Sequence, residues 1–245
     1  MIVMSIAGVD PSAGAGVYAD LKTFQALGVY GTGIVTALTA QNPNKVYSIK
    51  PIEADFIGEQ IDAVLDSYDI TYIKTGMLYS KEVVDVVIGK IREHDLKCVV
   101  DPVMVATSGG ALYRNELVEA FKKLLKVAIF TTPNVDEAIK LTDVEINDVN
   151  TAKDASLKLG KFCNNMITGG HLQGNNVINI DSKITVSRQE LIETGNLHGS
   201  GCNFSAAIVS YLAKGETLEN AIGLAEKYTH SAIENGNYGT LIPKI

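Results

Sequence analysis

The sequence predicts a three-layer α/β/α domain with a mainly parallel central sheet. Short apolar runs rich in β-branched residues alternate with longer stretches of helical periodicity, the pattern of a parallel sheet covered by helices on both faces. Each apolar run is followed within a few residues by Gly, Pro, Asn or Asp, as expected where strands end. The 245 residues, 46% of them hydrophobic, can bury a sizeable core, and no repeat or Pro-rich linker divides them, so we predict a single domain over residues 1–245.

The predicted elements follow in chain order. Six strands cover Ile2 to Ala7, Tyr30 to Thr36, Tyr72 to Lys74, Lys97 to Val100, Val127 to Thr131 and Asn165 to Thr168. From about Val177 to Leu191, short alternating pieces predict an antiparallel extension at the sheet edge. Two helices close the chain, from about Cys202 to Ala213 and from about Leu218 to Asn235. Because open parallel sheets bind ligands beyond the carboxyl ends of their strands, we expect the chemistry in the loops after the strands.

Composition and charge narrow the class of partner. The chain has 21 basic and 28 acidic residues, a net charge of -7, and no basic cluster, which argues against nucleic acid. Cys98, Cys163 and Cys202 are widely spaced, so neither a disulfide framework nor a zinc site is predicted. The apolar start of the chain ends at Asp10, too early for a signal peptide or a membrane span. We expect a cytoplasmic protein with a small-molecule ligand and no membrane partner.

The loop after the first strand is rich in small residues. In AGVDPSAGAGVYADLKTF, residues 13–16 are all Ala or Gly, which allows backbone N–H groups to approach a substrate or a phosphate closely. A tight strand-to-helix turn would explain the same residues. Neither the GxGxxG fingerprint nor the P-loop signature is present, so a different class of nucleotide site is needed.

The segment NLHGSGCNFSAAIVSYLAKG is the strongest single candidate for a catalytic site. Gly199, Ser200 and Gly201 lead directly into a helix that begins at about Cys202, and the unpaired N–H groups there form an anion hole suited to a transferring γ-phosphoryl group. The pKa of the Cys202 thiol should be lowered at this position, making the thiol a candidate proton acceptor. A small buried cysteine that merely fills the helix start is the alternative.

Polar or flexible residues follow three further strands. Asp101 ends the run CVVD, where a carboxylate can orient a metal or a phosphate, or simply cap a turn. Asn134 and Glu137 form an NxxE pattern, which is either an ordinary helix cap or a place where a carboxylate holds the water shell of Mg²⁺. The motif ITGGH places flexible backbone, including Gly170, after another strand.

Together these segments resemble the hydroxymethylpyrimidine and phosphomethylpyrimidine kinases of thiamin biosynthesis, members of the ribokinase superfamily. The resemblance is carried by VDPSAGAGVYADLKTF, TALTAQN, KTGML, DPVMVATSGGAL, TPNVDEA, GGH and HGSGC, in that order across almost the whole chain. It implies a ribokinase-like fold and the use of ATP with Mg²⁺. The implied reaction is phosphorylation of 4-amino-5-hydroxymethyl-2-methylpyrimidine, of its monophosphate, or of both. The resemblance also implies a homo-oligomer.

The resemblance assigns roles residue by residue. It implies that the pyrimidine pocket is lined by Gly8, Asp20, Gln41 and Met77. It implies a catalytic centre formed by Cys202 with Gly199, Ser200 and Gly201. The residues implied to bind the ATP phosphates are Asp101, Asn134, Glu137, Thr168 and Gly170, of which Asp101 and Glu137 also bind the metal. Many sugar kinases have Asp where this chain has Cys202, whereas pyrimidine kinases and some pyridoxal kinases share the Cys. The chain departs from the family at Thr168, where Lys is usual, and in the tail ENGNYGTLIP, which lacks the usual Gly-rich ending.

Two alternative functions stay open at this point. A pyridoxal or pyridoxine kinase would act on a similar group, because that vitamin also carries a hydroxymethyl group on a nitrogen heteroaromatic ring. A non-catalytic pyrimidine-sensing protein would keep the pocket without ATP turnover, and the departures at Thr168 and in the tail are the features that favour it.

Overall fold

The structure is a computed structural model that describes residues 1–104 and 115–243. The strands are β1 Ile2–Val9, β2 Tyr30–Asn42, β3 Lys45–Pro51, β4 Tyr72–Thr75, β5 Lys97–Val100, β6 Ala128–Thr131, β7 Asn164–Ile167, β8 Asn175–Ile180 and β9 Lys183–Arg188. The helices are α1 Gly16–Ala26, α2 Ala54–Leu65, α3 Lys81–Glu93, α4 Asn115–Leu125, α5 Val135–Thr142, α6 Val149–Leu159, α7 Ser200–Ala213 and α8 Leu218–Glu234. The last eight residues of the motif DPVMVATSGGAL, at positions 105–112, lie outside the described residues.

The strands form one sheet in the order β3-β2-β1-β4-β5-β6-β7-β8-β9. Neighbours from β2 through β1 and β4 to β7 pair in parallel, whereas β3, β8 and β9 add antiparallel edges. All six predicted strands and the antiparallel extension are therefore confirmed. Strand β3 was not predicted, because it is an exposed edge strand whose residues are half polar and form no buried apolar run. Strand β2 also continues to Asn42, six residues beyond its predicted end.

Helices cover both faces of the sheet, as the alternation of elements predicts. On one face, α2 to α6 bury their apolar sides in a large core; on the other, α1, α7 and α8 form a second core. The central strands serve both cores because successive side chains point to opposite faces: Cys98 and Val100 of β5 join the first core, and Val99 joins the second. No helix in the described ranges combines the length and the apolar character needed to cross a membrane.

The strand order reverses direction between β1 and β4. From β1 the chain passes through α1 to β2 on one side, and it later returns through α2 to β4 on the other side of β1. The connections leave the carboxyl ends of these two neighbouring parallel strands in opposite directions, which opens a crevice above them. The loops that begin at Asp10 and at Gly76 flank this crevice.

Candidate active site

A cavity lies at the carboxyl ends of the parallel strands, around the point where the strand order reverses. Its walls come from β2, from the loops after β1, β4, β5, β6 and β7, and from the residues that begin α7. All of the predicted site residues line it except Asp20 and Gly170. The motifs that are scattered along the sequence therefore converge on one cavity, as the rule for open parallel sheets predicts.

The N-terminus of α7 forms part of the cavity wall and has no side-chain cap. Its N-cap residue is Gly199, whose φ of 87° lies in the left-handed region that favours glycine. A side chain at this position would overlap the carbonyl oxygen of Gly14. Helices α1 and α2 also lack a side-chain cap. Four other helices are capped by a side chain that accepts a hydrogen bond from the first turn: α3 by Ser80, α5 by Asn134, α6 by Asp148 and α8 by Thr217. The start of α7 thus offers its amides and its positive dipole end to a ligand in the cavity.

Cys202 is the third residue of α7 and also lines the cavity. Burial raises the pKa of its thiol to about 12; Lys74 lowers the pKa, whereas Asp101 and Asp20 raise it further. The prediction of a lowered thiol pKa is therefore wrong, because burial and two neighbouring carboxylates outweigh Lys74 and a hydrogen bond from the Gly16 backbone, both of which lower the pKa. The thiol is protonated at neutral pH.

A buried cluster of charges centred on Lys74 lies beneath the cavity. The Lys74 ammonium donates to both carboxylate oxygens of Asp20, at 3.0 and 2.9 Å, and lies 3.9 Å from Oδ2 of Asp101. Ser5 donates another hydrogen bond to Asp20, at 2.5 Å, and the side chains of Lys74 and Asp20 are 0% exposed. Burial alone would lower the pKa of Lys74, but Asp20, Cys202 and Asp101 raise it, so the ammonium stays charged.

This pairing corrects the role expected of Asp20. Its carboxylate faces Lys74 and Ser5 inside the protein and contributes nothing to the cavity wall. Asp20 stands one turn into α1, and the sequence alone gives no sign that it meets a lysine 54 residues away. Asp20 therefore supports the site from below, and the prediction that it lines the pyrimidine pocket is wrong.

Asp101 and Glu137 are two carboxylates that are each 5% exposed and line the cavity. Asn134 and Glu137 form a capping box, in which the Glu137 amide donates to Asn134 Oδ1 at 2.9 Å and the Asn134 amide donates to Glu137 Oε2 at 3.0 Å. Burial, followed by the charge of Asp101, raises the pKa of Glu137 to about 8. A divalent cation fits this pair, because it would relieve their repulsion and because carboxylate oxygens are ligands that Mg²⁺ prefers.

Gly8, Gln41 and Met77 line the part of the cavity nearest to β1, β2 and β4. A side chain at position 8 would overlap Cε of Met77, so the glycine allows the thioether to lie against the strand. Thr36 Oγ1 donates to the backbone carbonyl of Met77 at 2.6 Å and fixes this loop. An amide with both a donor and an acceptor beside a polarisable thioether suits a flat nitrogen heterocycle.

Thr168 lines the cavity after β7, and Gly170 does not. The Thr168 amide donates to the Pro133 carbonyl at 2.9 Å, which links the loops after β6 and β7. Its side chain brings no charge. Gly170 is exposed in a 3₁₀ turn that spans Gly169–His171, so the prediction that it contacts the ligand finds no support in its position.

The sequence patterns single out neither Asp10 nor His198 as site residues, although both line the cavity. Nε2 of His198 lies 2.7 Å from Oδ2 of Asp10. One signal could have found Asp10: it directly follows β1, just as the predicted site residue Asp101 directly follows β5. His198 gives no such signal, because a single histidine before a glycine-rich helix start has many possible roles.

Known proteins match this chain over nearly its whole length. The sequence profile of the family described as phosphomethylpyrimidine kinase matches residues 10–241. The hydroxymethylpyrimidine/phosphomethylpyrimidine kinase of Rhizobium meliloti (strain 1021) is 40% identical over 241 residues, which cover 95% of this chain and 90% of the relative.

Solved structures with similar folds include two kinases. The phosphomethylpyrimidine kinase from Clostridium difficile 630 is 33% identical, with a TM-score of 0.83 and coverage of 95% of this chain and 99% of that chain. An ADP complex of Bacillus subtilis pyridoxal kinase is also 33% identical, with a TM-score of 0.91 and coverage of 99% and 96%. The predicted ribokinase-like fold is thereby confirmed.

Proposed function

Because this chain belongs to the phosphomethylpyrimidine kinase family, we propose that it transfers the γ-phosphoryl group of ATP to 4-amino-5-hydroxymethyl-2-methylpyrimidine, to its monophosphate, or to both in turn. The observation that carries the proposal is the uncapped start of α7, which faces the same cavity as Gln41 and Met77. A kinase of a ring alcohol needs donors for the transferring group and a surface for the ring in one cavity. Both are present.

The ring is assigned to the side of the cavity formed by Gly8, Gln41 and Met77. The Gln41 amide can donate to one ring nitrogen and accept from the exocyclic amine, which distinguishes an aminopyrimidine from a plain aromatic ring. Met77 packs on the ring face, and Gly8 leaves room for both. In this orientation the hydroxymethyl group points toward the start of α7.

The transferring phosphoryl group is assigned to the amides of Gly199, Gly201 and Cys202. The Ser200 amide is already used, because it donates to the Leu197 carbonyl at 3.1 Å. Negative charge that develops on the equatorial oxygens meets N–H groups already held by the helix, so the protein does not need to reorganise during the reaction. Mg²⁺, when bound, would neutralise phosphate charge. Asp101 and Glu137 are the residues that would hold it, directly or through its water shell.

Cys202 is assigned a place beside the hydroxymethyl oxygen. With a pKa of about 12, its thiol orients the alcohol through a hydrogen bond and does not act as a preformed thiolate. A loose transition state for phosphoryl transfer asks little of a general base, because positioning and charge neutralisation provide most of the rate. The anion hole therefore carries more of the catalysis than the thiol.

Pyridoxal is the second candidate substrate, and the observation that favours it is the similarity to Bacillus subtilis pyridoxal kinase. The purified protein should be incubated with ATP, Mg²⁺ and, separately, hydroxymethylpyrimidine, its monophosphate or pyridoxal, with ADP release and product mass as the readouts. Turnover of at least one pyrimidine is the expected result. Turnover of pyridoxal alone would overturn the substrate assignment, and turnover of none of the three would overturn the function.

Two glycine-to-alanine variants, one at the anion hole and one as a control, test the anion hole. In Gly199→Ala the new methyl group overlaps the Gly14 carbonyl and opposes the φ of 87°, so the first turn of α7 must shift. We expect kcat to fall by roughly 100-fold or more, the loss typical when an oxyanion-hole donor is removed. The matched control is Gly223→Ala in α8, where the added methyl group meets nothing within 4 Å. Equal activity of the two variants would contradict the assignment.

A further inference from the structure

Asp10 stands at the end of β1 and organises the loop that follows it. The residue is 2% exposed, and its carboxylate accepts from Ser12 N at 2.8 Å, Ser12 Oγ at 2.7 Å, Gly14 N at 3.2 Å and Ala15 N at 2.9 Å. A buried carboxylate with this many donors is fixed in orientation, and burial would otherwise be costly. Asp10 thus holds the loop from β1 to α1 in one conformation.

A further hydrogen bond to this carboxylate comes from a distant segment of the chain. Nε2 of His198 lies 2.7 Å from Oδ2 of Asp10, across 188 residues of sequence. Because an ionised carboxylate can only accept, this ring nitrogen must carry the proton. Although burial raises the pKa of Asp10, the hydrogen bonds from His198 and Ser12 outweigh it and hold that pKa well below its usual range.

His198 immediately precedes the anion hole. Its neighbour Gly199 is the N-cap of α7 and lies so close to the Gly14 carbonyl that no side chain fits there. The segment that opens α7 therefore touches the β1–α1 loop twice, once through the imidazole of His198 and once through the backbone of Gly199. On its other side, the His198 amide donates to the Gly239 carbonyl at 3.4 Å.

We propose that the contact between Asp10 and His198 positions the anion hole, by fixing the start of α7 against the loop that continues from the ring-binding strand β1. The inference rests on the proposed function, because the distance that it sets is the distance between the ring pocket and the transferring phosphoryl group. Asp10 and His198 are positioning residues, since they act through the amides of Gly199, Gly201 and Cys202. A displacement of about 1 Å at such a site is enough to reduce turnover by about 100-fold.

The test compares Asp10→Asn, His198→Gln and the double variant with wild type. His230→Gln is the matched control, because His230 pairs with Glu234 at 3.6 Å on the exposed side of α8. We expect each single variant to lower kcat by roughly 10- to 100-fold while KM for ATP changes by less than about threefold. The kcat of the double variant should be no more than about threefold below the kcat of the less active single variant, because both changes break the same contact. The control should retain the wild-type kcat.

Three results would overturn the proposal: wild-type kcat in His198→Gln, losses that multiply in the double variant, or losses that merely follow the unfolded fraction measured by circular dichroism. Crystal structures of wild type and His198→Gln give a readout that is independent of substrate. The proposal expects the backbone from Gly199 to Cys202 to move by more than about 0.5 Å, the tolerance of a catalytic site. If wild type phosphorylates none of the three candidate substrates, the proposed function fails, and the displacement of the backbone alone then decides the positioning role.

Discussion

Among the described residues, Lys74 carries the only positive charge that pairs with Asp20, and replacing Lys74 by Met removes it. Met has similar length and no charge, so Lys74→Met leaves two carboxylates beside an apolar side chain. Asp20 is 0% exposed and Asp101 is 5% exposed, so water cannot take the place of the ammonium at Asp20. We expect a large loss of stability, because an unpaired buried charge costs more than a broken ion pair at the surface.

The size of the loss follows from the burial. Removing one partner of a buried pair typically costs about 3–5 kcal/mol, which for a chain of this size lowers the melting temperature by roughly 6–20 °C. Adding Asp20→Asn removes the orphaned charge and keeps an acceptor for the Ser5 hydroxyl, which donates to Asp20 at 2.5 Å. The double variant should therefore recover about half of the lost stability or more.

The control is Lys81→Met. Lys81 also pairs with a carboxylate at 2.9 Å, that of Asp85, but both side chains are 44% exposed. Its loss should leave the free energy of unfolding close to that of wild type, because an exposed ion pair contributes little. Urea unfolding followed by circular dichroism measures the free energy of unfolding of all four proteins. The reasoning is refuted if Lys74→Met lies within about 1 kcal/mol of wild type, well below the cost of an orphaned buried charge, or if Asp20→Asn destabilises the Lys74→Met protein further.

Other substitutions probe the site residues individually. Cys202→Ala should lower kcat by about tenfold while calorimetry finds ATP binding unchanged, and a normal kcat would remove the thiol from the mechanism. Iodoacetamide should alkylate Cys202 at pH 8 about 1,000-fold more slowly than an ordinary exposed cysteine, because its pKa of about 12 leaves little thiolate; rapid alkylation would contradict that pKa. Thr168→Lys should lower KM for ATP about tenfold by adding a cation at the cavity wall, and an unchanged KM would show that position 168 is too far from the phosphates. The pKa of Asp10 is below its ordinary value of 3.8, so its ionised form stabilises the folded protein above that pH. The melting temperature of wild type should therefore exceed that of Asp10→Asn at neutral pH, by a margin that shrinks as the pH falls below 3.8 toward the lower pKa of the folded protein. A margin independent of pH would refute this.

Most of the fold was predictable because its signals are local. Strand β5 reads as a continuous apolar run and is buried on both faces of the sheet, and its end is marked by Asp101 and Pro102. The same reasoning locates Glu137 and Gly199 near the cavity, because both lie at helix starts. Strand β3 was not predicted because it is an exposed edge strand, and without a buried face its sequence has no run of apolar residues.

The parts of the site that were mispredicted depend on contacts between distant segments. The pKa of Cys202 is set by burial and by Lys74, Asp101 and Asp20, which come from β4, from the loop after β5 and from α1. Likewise, the sequence places Asp20 in α1 but cannot show that its side chain turns toward Lys74. Burial and pairing are properties of the assembled protein, and no spacing rule reports them. The homo-oligomer implied by the resemblance stays a prediction.

The reversal of strand order between β1 and β4 places the residues assigned to the ring and those assigned to the phosphates on different strands. Residues that we assign to the ring come from β1, β2 and the loop after β4, whereas those assigned to the phosphates come from the ends of β5 to β7 and from α7. Changes in the first group can alter which alcohol is accepted while the phosphorylating apparatus stays intact. A scaffold divided in this way can acquire a new vitamin precursor as its substrate through a few replacements on one flank.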